Sequence, residues 1–429
     1  MKQLCILFVM IGLWPLGTFS QHLSKKEKKI VAYIDEQLEE AIDLLEEMVN
    51  INSGTMNHAG VRQVGDAFKA EFEEIGFEVK WVELPQEVNR AGHFMAERKG
   101  KKGKRLLLIG HLDTVFEEDS EFQEFERKGK MAAGPGAADM KGGDVVILYA
   151  LKSLYDIGAL DDTQIIVALT GDEEKPGKPI SITRESLIEA GKRSDVALGF
   201  ETGRKGMAVV ARRSSSNWKL TTTGKRAHSS GVFSKSVGSG AIFEAARILT
   251  AFHEEVKGEE YLTFNPGTIL GGTHIDYDAP NSKGEVFGKT NVVAQTVMVD
   301  GGIRTISMEQ LENAQAKMKK IVENNHLPNT SASISFAEGY PPMSPNPANY
   351  ELLKQYDQIS QDLGFESIQA YDPGARGAAD ISFVGFIPAL GGLGCYGRGA
   401  HSLEEEVDLE AFHVAIKRAA LLIYRLTKE

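Results

Sequence analysis

The segment RLLLIGHLDTVF (residues 105–116) decides the fold, because it is a continuous apolar run that ends in the polar side chains His111 and Asp113. Two later segments have the same design: TQIIVALTGDEE (163–174) ends in three adjacent acids, and DVALGFETG (195–203) ends in a glutamate. Apolar strands that alternate with helical segments predict a mainly parallel sheet with helices on both faces, an α/β fold. Functional side chains of such sheets lie at the carboxyl ends of the strands. We therefore expect a functional site where these three strands end.

A different order of elements begins near residue 212. Strand, helix, strand, strand, helix and strand follow one another, and Ser307 is a candidate N-cap for the second of these helices. This βαββαβ order is typical of a ferredoxin-like α+β sandwich. We therefore expect residues 212–340 to form an inserted domain, and residues 21–211 and 341–429 to form the α/β domain.

The charge of the chain makes one class of partner unfavourable. Its 429 residues carry a formal net charge of −12 at pH 7. Proteins that bind nucleic acid need a basic surface to hold the phosphates. We therefore expect no nucleic-acid partner.

The N-terminus has the composition of a targeting segment. A lysine at position 2 precedes the apolar run LCILFVMIGLWPLG (4–17), and small and polar residues follow. This pattern predicts a signal peptide over residues 1–20 and a secreted or periplasmic protein. The alternative, a membrane anchor, is less favoured because the run is shorter than a bilayer span. We expect no membrane span after removal of the leader, and Cys395 would then be the only cysteine, so that no intramolecular disulfide could form.

Two histidines and several carboxylates stand at strand ends or in glycine-rich loops, and they could bind a metal. They are His111, Asp113, Asp139, Glu173, Glu174, Glu201 and His401. Imidazole and carboxylate groups without thiolates suit zinc or a similar ion. Each residue by itself could be an ordinary solvated or structural group. Their joint occurrence at the functional edge favours a metal site with ligands gathered from separate strands and loops.

Five segments carry a resemblance to a known family. In order along the chain they are GHLDTV (110–115), GPGAADMKGG (134–143), TGDEE (170–174), FETG (200–203) and GAHSLEEEVDL (399–409). Their residues, order and spacing resemble the M20 clan of metallopeptidases, most closely carboxypeptidases of the glutamate carboxypeptidase type. The resemblance spans nearly the whole chain after the leader. It implies a zinc-peptidase-like α/β domain and an inserted lid or dimerisation domain.

The resemblance also implies a site for two Zn²⁺ ions, although other divalent ions would be possible. Asp139 would bridge both ions. His111 and Glu201 would complete one site, and Glu174 and His401 would complete the other. The peptide bond between Asp139 and Met140 would be cis.

Two residues beside the ligands receive catalytic roles from the same resemblance. Asp113 would bond to His111 and set its tautomer. Glu173 would be the general base that takes a proton from the attacking water and passes it to the leaving amine.

Residues of the inserted domain and of one later loop would act on the substrate. His228 in GKRAHSSG would stabilise the oxyanion, in many relatives from a partner subunit, and Arg304 would bind a free carboxylate. An exposed turn histidine and a surface arginine are the respective alternatives. Asn291 lies where relatives have an asparagine near the substrate. The segment GARGAADISF (374–383) departs from the pattern of the closest carboxypeptidases and introduces Arg376 on the substrate side.

These expectations combine into a secreted metal-dependent exopeptidase that cleaves an amide bond next to a free carboxylate and releases C-terminal residues such as glutamate. A dipeptidase or an N-acyl-amino-acid deacylase would use the same metals and base, so peptides and acyl-amino acids are both candidate substrates. A metal-free binding relative is a third possibility, but the intact ligand set disfavours it. The family resemblance further implies a possible homodimer through the inserted domain.

Overall fold

The computed structural model describes residues 23–279 and 282–428. The predicted signal peptide, residues 1–20, lies outside this range. Within the described residues, no helix has both the length and the apolar character needed to cross a membrane.

The strands, in chain order, are β1 (Glu78–Val82), β2 (His93–Arg98), β3 (Lys102–His111), β4 (Glu126–Lys128), β5 (Met131–Ala133), β6 (Thr163–Thr170), β7 (Val196–Gly199), β8 (Met207–Ala208), β9 (Ser216–Gly224), β10 (Thr263–Gly272), β11 (His274–Asp278), β12 (Lys283–Phe287), β13 (Thr296–Arg304), β14 (Thr330–Phe336), β15 (Gln369–Ala370), β16 (Ala389–Leu390), β17 (Gly397–Arg398) and β18 (Glu406–Asp408). The helices are α1 (Lys25–Glu36), α2 (Leu38–Val49), α3 (His58–Glu74), α4 (Lys141–Asp156), α5 (Ile180–Thr183), α6 (Glu185–Lys192), α7 (Ala241–Ala251), α8 (Met308–Glu323), α9 (Pro347–Asp362) and α10 (Leu409–Thr427).

The predicted sheet is six-stranded, in the order β1-β2-β6-β3-β7-β16. The pairs β6–β3, β3–β7 and β7–β16 are parallel, whereas β2 and β1 extend the sheet in antiparallel fashion. Strand β3 lies at the centre, with the ends of β6 and β7 on either side. The three strands that end in candidate site residues are therefore neighbours, and the predicted mainly parallel α/β fold is confirmed.

Both faces of this sheet are covered. Alternate residues of its central strands point to opposite sides, and each set packs in its own core. Leu106 and Leu108 pack in a core with residues of α1 to α4, α9 and α10. Leu107 and Ile109 pack in a second core with residues of α6 and of the segment 379–384. The helices therefore hold the central strands, and the residues that follow them, in fixed positions.

The inserted segment forms a separate antiparallel sheet in the order β10-β13-β9-β14. Helices α7 and α8 and inward residues of the sheet, such as Trp218 and Leu220, share one core. Ser307 caps α8, since its side chain accepts a hydrogen bond from the Gln310 amide at 3.1 Å. The hairpin β11–β12 is an addition to the expected order of elements.

Two backbone bridges join the chain where it enters and leaves this sheet. Arg212 bridges Met343, and Ser215 bridges Tyr340 through two backbone hydrogen bonds of 3.0 and 2.9 Å. The predicted domain limits at 212 and 340 lie beside these bridges. The two connections therefore run together as a paired hinge next to the main sheet.

Candidate active site

Three neighbouring strand ends and two loops place the candidate ligands. Strand β3 ends at His111, and Glu174 and Glu201 lie a few residues beyond the ends of β6 and β7. Because these strands are adjacent and parallel, their carboxyl ends meet at one edge of the sheet. Asp139 precedes α4, and His401 lies in the loop before β18.

These five residues form two groups that share one aspartate. In one group, His111 Nε2 lies 3.5 Å from Asp139 Oδ1 and 3.6 Å from Glu201 Oε1. In the other, His401 Nε2 lies 3.2 Å from Asp139 Oδ2 and 3.2 Å from Glu174 Oε2. The ligand atoms of each group lie within 4.8 Å of one another, a separation at which each group could hold one metal ion. The two oxygens of Asp139 face different groups, as a bridging carboxylate would require.

The hydrogen bonds of His111 leave one ring nitrogen free for a metal. Its Nδ1 lies 2.9 Å from the carbonyl oxygen of Asp113. A carbonyl only accepts hydrogen bonds, so Nδ1 carries a proton and Nε2 is the nitrogen that would be left to bind a metal. Among the described residues, His111 Nε2 and Glu174 Oε1 are buried atoms without a hydrogen-bond partner. Both atoms fit a ligand role.

The electrostatics of the groups also suit cations. Burial lowers the pKa of His111, but its contacts with Asp113 and Asp139 outweigh burial and raise it well above the usual value. Asp139 and Glu174 raise the pKa of His401 to about 11, and burial together with Asp139 raises that of Glu201 to about 7. The cluster therefore holds protons, which reduce the repulsion among its carboxylates. Bound cations could replace those protons.

A buried glutamate fixes the backbone of Asp139. Glu405 Oε1 accepts hydrogen bonds from the amides of Ala138 and Asp139, both at 2.9 Å. The bond between Asp139 and Met140 is cis, as the family resemblance implied. Glu405 lies within the motif GAHSLEEEVDL, but sequence reasoning assigned it no role.

Asp113 does more than contact His111. Its side-chain oxygen lies 3.4 Å from His111 Nδ1, farther than its own backbone carbonyl. The carboxylate instead accepts hydrogen bonds from the amides of Glu173 at 2.9 Å and Glu174 at 3.1 Å, and from Thr55 Oγ1 at 2.6 Å. Asp113 therefore ties the end of β3 to the loop that carries both glutamates.

Glu173 lies beside the ligand groups with its carboxylate in a buried setting. Burial and the nearby Glu201 carboxylate raise the pKa of Glu173 well above its ordinary value. Neither metal-ligand group includes it. The structure thus separates the two adjacent glutamates: both line one cavity, but only Glu174 belongs to a ligand group, 3.2 Å from His401.

A cavity of about 840 Å³ joins these residues to the hinge of the inserted domain. Its lining includes Glu173, Glu174 and His401 of the main domain, Arg304 of the inserted domain, and Ser215 and Tyr340 of the hinge. Arg304, the last residue of β13, is half-buried there. The cavity therefore brings two candidate metal ligands and a guanidinium to one space.

The other predicted substrate residues lie elsewhere. Arg376 does not line this cavity, and its Nη2 donates to the carbonyl of Thr202, next to Glu201, at 2.9 Å. His228 and Asn291 lie together in the inserted domain, where the Ser229 amide donates to the Asn291 carbonyl at 2.9 Å. Neither residue lines the cavity of its own chain.

Comparisons with known proteins identify the family. The sequence model of peptidase family M20/M25/M40 matches residues 107–425. Carboxypeptidase G2 of Pseudomonas sp. (strain RS-16) is 27% identical over 422 residues, which cover 94% of each protein.

Two solved structures illustrate the shared fold. Aminopeptidase PepT of Bacillus cereus ATCC 10987 has a TM-score of 0.70 at 18% identity and covers 91% of this chain and 98% of its own. The YXEP protein of Bacillus subtilis, a dinuclear metal-binding peptidase of the M20 family, has a TM-score of 0.62 at 14% identity, with coverages of 92% and 99%. At such identities, these structures establish similarity of fold alone.

Proposed function

This chain belongs to peptidase family M20/M25/M40 and is a metal-dependent peptidase, and we propose that it is a secreted di-zinc carboxypeptidase. Its substrate would be a peptide with a free C-terminal carboxylate, and its product a C-terminal residue such as glutamate. The observation that carries the proposal is the sharing of Asp139 by two three-residue ligand groups. The dinuclear site of the B. subtilis relative and the carboxypeptidase activity in the name of the Pseudomonas relative support it.

The proposed reaction is hydrolysis of an amide without a covalent intermediate. Two zinc ions would polarise the scissile carbonyl and make a bound water acidic. His111, Asp139 and Glu201 would hold one ion, and Asp139, Glu174 and His401 the other. Glu173 would take a proton from the water and deliver it to the leaving amine. A raised pKa suits a residue that must both accept and release that proton.

The substrate would be held from the lid side of the cavity. Arg304 has a guanidinium in the cavity and can bind a carboxylate through two parallel hydrogen bonds. His228 and Asn291 lie outside the cavity of their own chain, so we assign them to the site of a partner subunit. Arg376 would act from the Glu201 side, where its guanidinium is anchored on Thr202.

An apolar surface on the inserted domain supports a homodimer. Strand β10 is an edge strand of its sheet, and open edges readily pair with a second chain. Exposed apolar side chains stand on β10, on α7, at the end of β12 and in the loop before α7; they are Ile269, Ile242, Phe243, Phe287 and Phe233. Phe233 and Phe243 pack with ring centroids 5.5 Å apart, and His228 lies only five residues before Phe233. A dimer formed here would bring His228 close to the interface.

Variants of the two adjacent glutamates test the proposed mechanism. Glu173→Gln should retain both metal ions but lose more than about 100-fold in turnover, because the amide cannot accept the proton. Glu174→Ala should lose metal, because it removes a ligand. Bound zinc is measured by elemental analysis. Turnover is measured on three kinds of substrate: peptides that end in glutamate, dipeptides and N-acyl amino acids.

Three results would contradict the proposal. Absence of zinc binding and of zinc-dependent hydrolysis would exclude the proposed di-zinc hydrolase activity. Cleavage of N-acyl amino acids alone would exclude a carboxypeptidase. Full activity of Glu173→Gln would exclude its role as the base.

A further inference from the structure

Behind the loop that carries Glu173 lies a fully buried ionic cluster. Arg184 Nη1 lies 2.5 Å from Asp172 Oδ1, and Arg184 Nε lies 2.7 Å from Asp380 Oδ1. The remaining carboxylate oxygens are also satisfied, because Asp172 Oδ2 accepts from the Gly177 amide at 2.8 Å and Asp380 Oδ2 from Thr170 Oγ1 at 2.5 Å. The guanidinium is 0% exposed. None of these groups belongs to either candidate metal-ligand group.

Burial of three charges requires an explanation beyond stability. Taking charged groups out of water is unfavourable, and replacement of such clusters by apolar residues is often neutral or stabilising. A satisfied buried network, in contrast, holds its members in one geometry. The cluster is therefore suited to positioning whatever it contacts.

The cluster contacts the backbone of Glu173 through Tyr340. Arg184 Nη2 donates to the carbonyl of Asp172 at 3.1 Å and to the Tyr340 hydroxyl at 2.8 Å. That hydroxyl donates to the carbonyl of Glu173 at 3.1 Å. From the opposite side, Asp113 accepts the amide of Glu173. Both polar backbone groups of Glu173 are thus bound, which limits where its side chain can lie.

Tyr340 also belongs to the paired hinge. Its backbone exchanges two hydrogen bonds with Ser215, where the chain enters the inserted domain, and its ring packs against Phe383 with centroids 5.0 Å apart. A shift of the hinge would therefore move the hydroxyl that holds Glu173.

We propose that Arg184, Asp172, Asp380 and Tyr340 form a positioning device that sets the general base Glu173 and couples its placement to the hinge of the inserted domain. This rests on the proposed function, in which Glu173 is the base. It gives Asp172 a different task from its neighbours: it anchors Arg184, whereas Glu173 moves protons and Glu174 binds metal. Tyr340 and Arg184 act through Glu173 and are positioning residues.

The principal test is Tyr340→Phe, which removes one hydroxyl and keeps the packed ring. We expect kcat to fall about 10-fold, the effect of losing a buried hydrogen bond, while KM and bound zinc stay unchanged. Tyr396→Phe is the matched control, because its hydroxyl also accepts from a buried arginine, Arg418, at 2.7 Å but lies outside the cavity. The control should keep the wild-type kcat.

A double variant separates positioning from general stability. In the Glu173→Gln background, Tyr340→Phe should leave the residual kcat unchanged, because the group that it positions is already inactive. Thr170→Val, which removes one bond to Asp380, should lower kcat less than Tyr340→Phe and offers a milder probe of the cluster. Either a wild-type kcat for Tyr340→Phe, or an equal fall in both backgrounds, would overturn the positioning role.

Failure of the proposed function would look different. If wild-type protein with zinc hydrolysed no amide, or if Glu173→Gln were fully active, the base assignment would fail and the positioning role with it. If Glu173→Gln is inactive and Tyr340→Phe is normal, only the positioning role fails.

Discussion

Arg304 differs from most arginines of this chain in having no carboxylate beside it. Within residues 23–279 and 282–428 its guanidinium makes no hydrogen bond or ion pair, although it is half-buried in the cavity. Burial, followed by the nearby Arg213, lowers its pKa from the ordinary value. An arginine that is partly desolvated and unpaired has its donors ready for an anionic ligand.

Arg304→Met should therefore weaken binding of a free carboxylate. We expect KM for a peptide with a C-terminal carboxylate to rise by about 10- to 100-fold, the effect of losing a charge-assisted pair, with little change in kcat. For the C-terminally amidated peptide, which lacks that carboxylate, the KM of Arg304→Met should equal the KM of the wild type. Arg213→Met is the control, since Arg213 is bonded to Thr263 and Gly374; equal effects on both peptides would contradict the role of Arg304.

At the scale of elements, a buried carboxylate anchors α7 of the inserted domain. Glu244 is 0% exposed, accepts two hydrogen bonds from Arg247, at 3.1 and 2.7 Å, and accepts the Leu327 amide at 3.0 Å. Burial opposes its ionisation, but the bonds from Arg247 and Leu327 prevail and lower its pKa to about 2. Helix α7 is thereby attached to the turn after α8.

The stabilisation by Glu244 should depend on pH. Because its pKa is lower in the folded state, its contribution is present above the unfolded value near 4.3 and is lost as pH falls towards 2. Glu244→Gln should reduce the free energy of unfolding by roughly 2 kcal/mol at pH 7, and the difference from wild type should shrink between about pH 5 and pH 2. Denaturant unfolding at pH 7 and pH 3.5 measures this. A difference that stays constant over that range would show that the carboxylate charge is not responsible.

At the scale of the whole molecule, the proposed oxyanion role of His228 requires the proposed dimer, because His228 would serve the site of the partner subunit. Ile269→Asp places a charge in the apolar surface on the edge strand and should give a monomer of low activity. Phe386→Asp, which changes an equally exposed apolar side chain of the main domain, should remain dimeric. Light scattering after gel filtration measures the mass of each protein. The proposal would be contradicted if the wild type were a monomer, or if Ile269→Asp were a monomer with full activity.

Mixed dimers test whether His228 serves the partner site. Glu173→Gln and His228→Ala should each be weakly active alone. When unfolded together and refolded, some dimers would hold one site with both groups intact, so that partial activity should return. No recovery, with mixed dimers shown to form, would place His228 elsewhere in the reaction.

Much of this architecture could be predicted from the sequence, because its signals are local. Continuous apolar runs such as 106–110 and 165–169 predict buried parallel strands, and polar residues directly after them must lie at the functional edge. The order of elements likewise predicted the inserted antiparallel sheet. His111, Glu174 and Glu201 follow from this reasoning, and Asp139 and His401 were candidates because they stand in glycine-rich loops. The individual metal and catalytic roles came from the family resemblance and stay predictions.

Only the tertiary structure decided which groups hold these residues in place. Glu405, Tyr340 and Asp380 are distant in sequence from the loops that they support, and Arg184 follows its loop across a short helix, so no periodicity or spacing marks them. The structure also showed that the carboxylate of Asp113 serves the two glutamate amides, and that His228 lies outside the cavity of its own chain. Strand and helix signals depend on neighbouring residues, but hydrogen bonds across the molecule depend on how the elements pack, and that arrangement exists only in the folded chain.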